Sequence, residues 1–265
     1  MLCLIDSDSL CYANGFAVEE KDDNGKVHVI ENGEKFLRSK LAKQIETIVE
    51  ETGASDYKVF LTGKGNFREK INPIYKANRV DMRRPLLLPQ ARQYLIEEHN
   101  ALVVEGMEAD DVVCIEQTYC LNMGIDSCIA HIDKDINQQV GKHYRWKGKF
   151  NDSVMYEVSE ADGLRNLYVQ ALVGDKVDNI MYYYDKEGSK TWKKNYGIGQ
   201  KTAEKFMAAF DTEKEMYDYV LGLYLESTKF IKVDTGKQCK EEDLLMNMKM
   251  LYMLRDYDDE YGVPK

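Results

Sequence analysis

Several apolar runs in this chain lead directly into carboxylates, and this arrangement constrains the fold more than any other feature. Leu2–Asp6 and Cys128–Asp133 each end on an aspartate, and Ala101–Val104 leads into the acidic stretch 106–111. Short apolar runs of this kind are typical of buried strands, and segments with helical spacing lie between them. Strands that alternate with helices form a parallel sheet, whose carboxyl ends meet at one edge. The sequence therefore predicts an α/β fold with acids gathered at one sheet edge.

The acidic stretch Gly106-Met107-Glu108-Ala109-Asp110-Asp111 predicts a turn followed by the first turn of a helix. Glu108 and Asp111 are three residues apart, so they would share a helix face. The helix dipole favours such charges by about 0.3–1 kcal/mol. Acidic residues are also ordinary helix-start signals, so this stretch by itself does not establish a functional site.

The remaining elements follow from the same patterns. Further strands are expected at 57–61, 144–146 and 154–158. Helices are expected at 34–51, 89–98, 160–172, 203–210, 213–225 and 241–254, with a small hairpin or polar excursion at 15–33. Runs of strands and helices followed by helices alone predict an α/β part and a helical C-terminal part.

Composition sets the general class of the protein. The chain has 265 residues and is 44% hydrophobic, which suits one large domain or a domain with a smaller addition. No apolar run approaches the ~20 residues of a membrane span, and the early Asp6 argues against a signal peptide. The six cysteines form no C-x-x-C pair, so we expect free thiols in a reducing cytoplasm and no zinc site. The net charge of −10 does not exclude a nucleic-acid partner, because net charge hides its distribution.

One segment, Lys64–Arg84, is locally basic. Its cations are Lys64, Arg68, Lys70, Lys76, Arg79, Arg83 and Arg84. The same segment contains only two acids, Glu69 and Asp81. The aromatic residues Phe67 and Tyr75 also lie in it. A solvated basic face is one interpretation. The other is contact with phosphates, with rings stacked on splayed bases.

Two further motifs lie in the second half of the chain. In Gly174-Asp175-Lys176-Val177-Asp178-Asn179 the two aspartates would share a face if the segment is helical. In Gly197-Ile198-Gly199-Gln200-Lys201-Thr202 the glycines stand at a helix entrance. Backbone N–H groups there can approach a phosphate, although an ordinary tight turn has the same signature.

The acids together point to metal chemistry. The candidate ligands are Asp6, Glu108, Asp110, Asp111, Asp133, Asp135, Asp175 and Asp178. Gathered at one edge without compensation, they would repel one another and raise their own pKa values. All-oxygen ligands suit Mg²⁺ or Mn²⁺, and two such ions ~4 Å apart serve phosphodiester hydrolysis. The basic segment would then hold the polyanion.

The ordered set of motifs resembles the 5′-nuclease superfamily over roughly residues 2–210. It is most similar to the phage-type 5′→3′ exonucleases and flap endonucleases, relatives of the 5′-nuclease domain of bacterial DNA polymerase I. The matching motifs are Asp6, Asn66-Phe67-Arg68, Tyr75-Lys76-Ala77-Asn78-Arg79, Glu108-Ala109-Asp110-Asp111, Asp133-Lys134-Asp135, Gly174-Asp175-x-x-Asp178-Asn179 and Gly197-Ile198-Gly199-x-Lys201-Thr202.

The resemblance implies a PIN-like parallel-sheet core with a helical arch and a helix–three-turn–helix (helix-hairpin-helix) element. We expect a catalytic core at 1–173, with the arch at about 64–88, and a helical DNA-binding part at 174–265. The eight acids match the family's metal ligands, which implies two Mg²⁺ ions with Mn²⁺ as a substitute. Lys76 and Arg79 match basic residues that engage the scissile phosphate.

The resemblance also implies partners. The hairpin residues match an element that grips the duplex backbone, often with a K⁺ ion. The expected nucleic-acid contacts are Arg68, Tyr75, Lys76, Arg79, Arg83, Arg84, Gly197, Gly199, Lys201 and Thr202. The expected partner is DNA with 5′ ends, flaps or nicks, extending to RNA–DNA hybrids. We expect a monomer in the cytoplasm, that of the host for a phage-encoded protein.

The sequence departs from this family in three places. Gly63 stands where the family usually has an acid after its second strand, Asp8 is an additional acid, and 181–195 is an insertion. Two alternatives therefore stay open. Asp6-Ser7-Asp8 resembles the Asp-x-Asp pair of haloacid-dehalogenase-type phosphatases, and a relative impaired by loss of the acid at 63 would bind DNA without cleaving it.

Overall fold

The computed structural model describes residues 1–79, 82–148, 151–180, 198–230 and 237–264. They divide into two compact units. The first, which we call the sheet unit, comprises Met1–Asn66, Arg83–Val158 and Arg255–Tyr257. The second, the helical unit, comprises Phe67–Met82, Ser159–Leu254 and Asp258–Lys265. Across the described part of the chain, the helices are too short or too polar to cross a membrane.

The strands and helices fall close to their predicted positions. The strands are β1 (Leu2–Asp6), β2 (Glu19–Lys21), β3 (Val27–Val29), β4 (Asp56–Thr62), β5 (Leu102–Val104), β6 (Ser127–His131), β7 (Gly141–Arg145) and β8 (Val154–Val158). The helices are α1 (Asp8–Phe16), α2 (Gly33–Thr52), α3 (Phe67–Ile71), α4 (Leu88–His99), α5 (Ala109–Asn122), α6 (Glu160–Val173), α7 (Gln200–Met207), α8 (Glu213–Glu226) and α9 (Glu241–Leu251).

The sheet unit is built on a six-stranded sheet in the order β5-β4-β1-β6-β7-β8. Its strands pair in parallel except for β7 with β8, which is antiparallel. The expected α/β class and the mostly parallel sheet are therefore confirmed. The separate antiparallel pair β2–β3 is the hairpin expected in the polar stretch.

The central position of β1 follows from its composition. Cys3, Leu4 and Ile5 are fully buried, because β1 lies between β4 and β6 and is covered on both faces. On α2, Leu37, Leu41 and further apolar residues at helical spacing pack into the same hydrophobic core as Cys3 and Ile5. The carboxyl ends of the parallel strands consequently come together at one edge of the sheet.

The helical unit has its own core, formed largely by α6, α7, α8 and α9. Leu172 of α6 shares this core with Met207 and Val220. The expected boundary at residue 173 therefore differs from the observed division, in which α6 belongs with the helices that follow it. The apolar face of α6 is the physical reason for this difference.

Segment 67–82 also belongs to the helical unit, and a buried arginine fastens it there. Arg68 is 0% exposed. Its Nε donates to the carbonyl oxygen of Met250 at 2.7 Å, and its Nη2 donates to that of Tyr252 at 2.9 Å. These carbonyls lie at the C-terminus of α9, where a helix leaves its last acceptors without partners. The helix accordingly ends at Leu251 rather than at the expected residue 254.

Two smaller points concern expectations from the sequence. All six cysteines are free thiols, as predicted, and five of them are buried. Helix α1 was not expected. It buries Leu10, Cys11 and Asn14, whose spacing is helical, but the Asn14-Gly15 pair disguised the pattern because both residues favour turns.

Candidate metal centre and nucleic-acid interface

Asp6 ends the central strand and carries a buried carboxylate. The residue is 8% exposed. Burial, together with the negative charges of Asp8, Asp133 and Glu108, raises the pKa of Asp6 to about 8. The structure therefore brings Asp6, Glu108 and Asp133 within electrostatic reach of one another, as the sequence predicted for acids at adjoining strand ends.

The acidic stretch after β5 forms the start of α5, as predicted. Glu108 is the N-cap residue, and its backbone N–H donates to Asp111 Oδ2 at 3.2 Å. Asp111 is buried, and its own N–H donates to Asp110 Oδ1 at 3.2 Å. The side chains of Asp110 and Asp111 therefore help to hold the helix start as well as providing carboxylate oxygens.

A hydrogen-bonded lock joins the strand ends around this helix start. Asp8 Oδ2 accepts from the Thr62 N–H at 2.9 Å, and Asp8 Oδ1 accepts from Arg92 Nη1 at 2.6 Å. Arg92 Nη2 donates to the Thr62 carbonyl at 2.5 Å. The Thr62 hydroxyl in turn accepts from the Ala109 N–H at 2.9 Å. Asp8, the additional acid, thus links the start of α1 to β4 and α4, and Thr62 continues the link to α5. The charge of Asp8 still acts on Asp6.

The turn after β6 carries the next pair of acids. Asp133 Oδ1 accepts from the Asp135 N–H at 2.9 Å. Asp135 Oδ1 lies 2.7 Å from Lys134 Nζ. Asp133 is exposed and Asp135 is half-buried. The turn therefore presents carboxylate oxygens at the same sheet edge as Asp6.

Gly63 occupies the position where the resembling family usually has an acid. Its N–H donates to the Val104 carbonyl at 2.6 Å. A Cβ placed on Gly63 would lie 2.4 Å from that oxygen and 2.8 Å from Glu105 Oε1. Real Cβ atoms do not approach backbone oxygens so closely, so the end of β5 leaves no space for an aspartate at this position.

In the helical unit, the motif 174–179 forms a tight loop and not a helix. The two aspartates therefore do not share a helix face. Asp175 and Ile180 exchange backbone hydrogen bonds of 3.0 and 2.8 Å. Asp175 Oδ1 accepts from the N–H groups of Val177 and Asp178 at 2.7 and 2.9 Å. Gly174 and Asn179 have φ of 73° and 61°, a conformation that ends regular structure.

Asp178 is surrounded by the basic motif of segment 67–82. Arg79 Nη2 binds Asp178 Oδ1. The Tyr75 hydroxyl donates to Asp178 Oδ2 at 2.8 Å, and Lys76 Nζ lies 3.6 Å from the same oxygen. Lys76 also has a φ of 54°, which costs energy for a residue with a Cβ, and strained backbone of this kind clusters at functional sites.

The other expected nucleic-acid residues of the basic segment divide into different environments. Arg68 and Tyr75 are buried, which corrects the expectation that they face a nucleic acid: Arg68 binds backbone carbonyls and Tyr75 orients Asp178. Arg83 Nη1 pairs with Glu19 Oε2 at 2.5 Å. Arg84 is exposed and forms no ion pair with the described residues.

The residues of the Gly-x-Gly motif are described only in part, because Gly197 lies outside the described residues. Gly199 is the N-cap of α7, and no side chain caps this helix start. Lys201 and Thr202 are exposed in its first turn. A helix start of this kind attracts anions.

Sequence reasoning missed two residues at the acidic edge. Arg145 ends β7 opposite His131, and its Nε is buried without a hydrogen-bond partner among the described residues. His131 itself contacts the Asp133 turn. Alternation along β7 predicts that Arg145 and His143 share a face. Which residues of the neighbouring strands they contact depends on the strand register, which the sequence does not give.

The donor set fits a hard divalent cation, because it consists of carboxylates that repel one another in a partly buried place. Among the described residues, no three His, Cys, Asp or Glu side chains are close enough to hold an ion by themselves. Mg²⁺ usually keeps several waters and binds only one or two carboxylates together with substrate phosphates. A site without three converging side chains is therefore compatible with Mg²⁺.

Comparisons with known proteins point in one direction. The chain matches the family model of the 5′-3′ exonuclease, N-terminal resolvase-like domain, over residues 1–168. DNA polymerase I of Caldicellulosiruptor bescii is 31% identical over 157 residues, which is 54% of this chain and 17% of the polymerase. The chain thus spans about a sixth of that relative's length.

Solved structures show the same fold. T5 5′-exonuclease with bound zinc has a TM-score of 0.62 at 17% identity, over 94% of this chain and 88% of that chain. Bacteriophage T5 flap endonuclease, in a pseudo-enzyme–product complex with DNA and metal ions, has a TM-score of 0.59 at 17% identity, with the same coverage. At these identities the likeness establishes the fold.

We expect Asp6→Asn to raise the thermal midpoint of the metal-free protein at pH 8 by roughly 2–4 °C or more. The folded protein holds the Asp6 proton up to about pH 8, whereas the ordinary pKa is 3.8. Ionising Asp6 therefore opposes folding increasingly as pH rises from about 4 to about 8. Thermal melts in EDTA across this range measure the effect.

The matched control for this prediction is Asp23→Asn, which changes an exposed aspartate of the same unit. It should leave the pH dependence of the midpoint unchanged. Addition of Mg²⁺ should stabilise the wild-type protein more than Asp6→Asn. A variant that melts like the wild-type protein at every pH would contradict the account of Asp6.

Proposed function

Because the chain belongs to the 5′-3′ exonuclease family, we propose that it is a divalent-metal-dependent nuclease that hydrolyses DNA phosphodiesters at 5′ ends and flaps. The observation that supports this most is the acidic sheet edge. Burial and neighbouring carboxylates raise the pKa of Asp6, a cost to stability that a protein without catalysis has no reason to bear. A metal-dependent hydrolase requires such an arrangement.

Mg²⁺, with Mn²⁺ as a substitute, is the proposed metal, and two ions are the proposed number. Asp6, Glu108 and Asp133 would be central ligands, with Asp110, Asp111 and Asp135 beside them in the same unit. Asp175 and Asp178 are proposed as further ligands from the resemblance alone. When bound, such ions offset the carboxylate charge, activate water and stabilise charge on the reacting phosphate.

Lys76 and Arg79 are the proposed phosphate-holding residues. Their cationic groups lie against Asp178, and a phosphate would compete for the same N–H donors. Arg79 is further fixed by donation from Nε to the Val177 carbonyl at 3.1 Å. Held in this way, the two side chains need little reorganisation before they stabilise negative charge.

Duplex binding is proposed for the start of α7. Gly199, Lys201 and Thr202 would contact the backbone of one strand, as part of a helix–three-turn–helix element that also includes Gly197 and a K⁺ ion. Arg83 and Arg84 are proposed as further phosphate contacts. The proposal rests on the exposed basic helix start and on the resemblance.

The finer features of the activity are also proposals. Residues 64–88 would form an arch, RNA in RNA–DNA hybrids would be cleaved as well as DNA, and the protein would act as a monomer in the cytoplasm. The phosphatase alternative requires Asp8 as a general acid. Both carboxylate oxygens of Asp8 accept hydrogen bonds from Thr62 and Arg92, which argues against that role. The DNA-binding relative without catalysis is an outcome of the first test below.

We expect the protein to release 5′ products from a 5′-end-labelled flapped duplex in Mg²⁺ and to release none in EDTA. Asp133→Ala should lower cleavage by about a hundredfold or more while DNA binding persists, because it removes a proposed metal ligand. The control is Asp126→Ala. Asp126 is exposed and lies just before β6, at the end of that strand away from Asp133. Binding without cleavage by the wild-type protein would favour the impaired relative.

Lys76→Ala should reduce turnover by about 10²–10³-fold with little change in substrate affinity, because a donor to the reacting phosphate acts mainly in the transition state. Single-turnover rates and Kd measured in Ca²⁺ separate the two effects. Lys70→Ala makes the same charge change at an exposed position of the same segment and should be nearly neutral. Weaker binding with an unchanged rate would refute the role.

Lys201→Ala should weaken duplex binding and lower the slope of log K against log salt by about 0.9, the value for one phosphate contact. Lys205→Ala is the matched control, since it lies one turn further along α7 and is also exposed. Titrations at several salt concentrations give both slopes. An unchanged slope for Lys201→Ala would place the duplex elsewhere.

A further inference from the structure

Two histidines and a tyrosine lie together behind the Asp133 turn, and the proposed function has not used them. His131 ends β6, and His143 in β7 pairs with Tyr156 in β8. Side chains two residues apart on a strand share a face, and so do paired residues of neighbouring strands. The register therefore sets His131, His143 and Tyr156 on one face of the sheet.

Their contacts fasten both ends of the turn that carries Asp133 and Asp135. His131 Nδ1 donates to the Asp133 carbonyl at 2.7 Å. At the other end, His143 Nε2 donates to the Gln139 carbonyl at 2.8 Å. Since carbonyl oxygens only accept, the hydrogen lies on the imidazole in each contact.

The ring of His131 is packed against those of His143 and Tyr156, in contacts that carry no hydrogen because each histidine N–H is already donated to a carbonyl. Its Nε2 lies 3.0 Å from His143 Nδ1 and 3.2 Å from the Tyr156 hydroxyl. That hydroxyl donates to Asn137 Oδ1 at 2.6 Å. The Tyr156 and His143 rings are stacked, with centroids 5.4 Å apart. The orientation of His131 is therefore set by its N–H to the Asp133 carbonyl and by packing against the His143 and Tyr156 rings.

Burying these polar rings has a cost that apolar side chains would avoid. His131 and His143 are 1% and 0% exposed. Burial lowers the pKa of His131 to about 3 and that of His143 to about 4, so the rings add no positive charge beside the acidic edge. What they contribute is direction: an N–H aimed at the peptide that follows Asp133.

We propose that His131, oriented by His143 and Tyr156, is a positioning residue that sets the Asp133–Asp135 turn for divalent-cation binding. This inference rests on the proposed metal-dependent function. Asp133 Oδ1 is already occupied by the Asp135 N–H, so the direction of the other carboxylate oxygen depends on how the backbone of the turn is held. Groups behind a metal ligand commonly control affinity in this way.

The test measures Mn²⁺ binding to the protein alone by calorimetry, together with the Mn²⁺ dependence of flap cleavage. His131→Leu removes the N–H to Asp133 and should weaken Mn²⁺ binding by about tenfold or more. His131→Asn places an amide N–H near the former Nδ1 and should restore most of the affinity. Tyr156→Phe removes the hydrogen bond to Asn137, which lies in the same turn, and should weaken binding by about threefold.

The matched control is His99→Leu, which changes a half-buried histidine of the same unit whose Nδ1 contacts the Tyr57 hydroxyl. It should leave Mn²⁺ affinity unchanged even if it lowers the thermal midpoint. A role in packing alone would give His131→Leu and His131→Asn equal, wild-type Mn²⁺ affinity, and that result would overturn the inference.

If His131→Leu does not fold, Tyr156→Phe and His131→Asn decide the question. Wild-type affinity in Tyr156→Phe would overturn the inference, and a threefold loss with near-normal His131→Asn would support it. Cleavage by the wild-type protein with unaltered Mn²⁺ dependence in all variants refutes the positioning role only. Absence of Mn²⁺ binding by the wild-type protein would refute the proposed function as well.

Discussion

Negative charge held at the carboxyl edge of a parallel sheet is the constraint on which the rest of this structure depends. Asp6 ends the most central strand, so its carboxylate is buried by the same packing that forms the core. The charges of Glu108 and Asp133 add repulsion to that burial. A fold that gathers acids at this place loses stability there, and the proposed cation would offset that loss.

The chain limits this loss with specific internal partners. Arg92 and the Thr62 N–H hold Asp8 in the sheet unit, and in the helical unit Asp178 receives Arg79, Lys76 and Tyr75. Part of the basic segment that the sequence suggested for phosphates is therefore occupied by carboxylates. The local excess of Lys and Arg in this protein of net charge −10 is therefore only partly available to an external anion.

The apolar runs predicted the strands, because burial on both faces leaves a continuous signal in the sequence. Pairing between distant side chains leaves no such signal. Asp8 meets Arg92 only in the folded chain. The local sequence does not distinguish the buried Arg68 from a solvated arginine. The loop at Asp175–Asp178 was more accessible to prediction, since Gly174 and Asn179 both favour positive φ.

The missing acid at Gly63 follows from the same edge. The end of β5 closes on Gly63 through the Val104 carbonyl, and a side chain there would force the strands apart. Tight closure and an additional carboxylate therefore exclude each other at this position. With that acid absent, the proposed cation binding would depend more strongly on the geometry of the acids that remain. A rigid support behind the Asp133 turn would then compensate for burying two imidazoles, because a loosely held turn would bind the proposed ion less tightly.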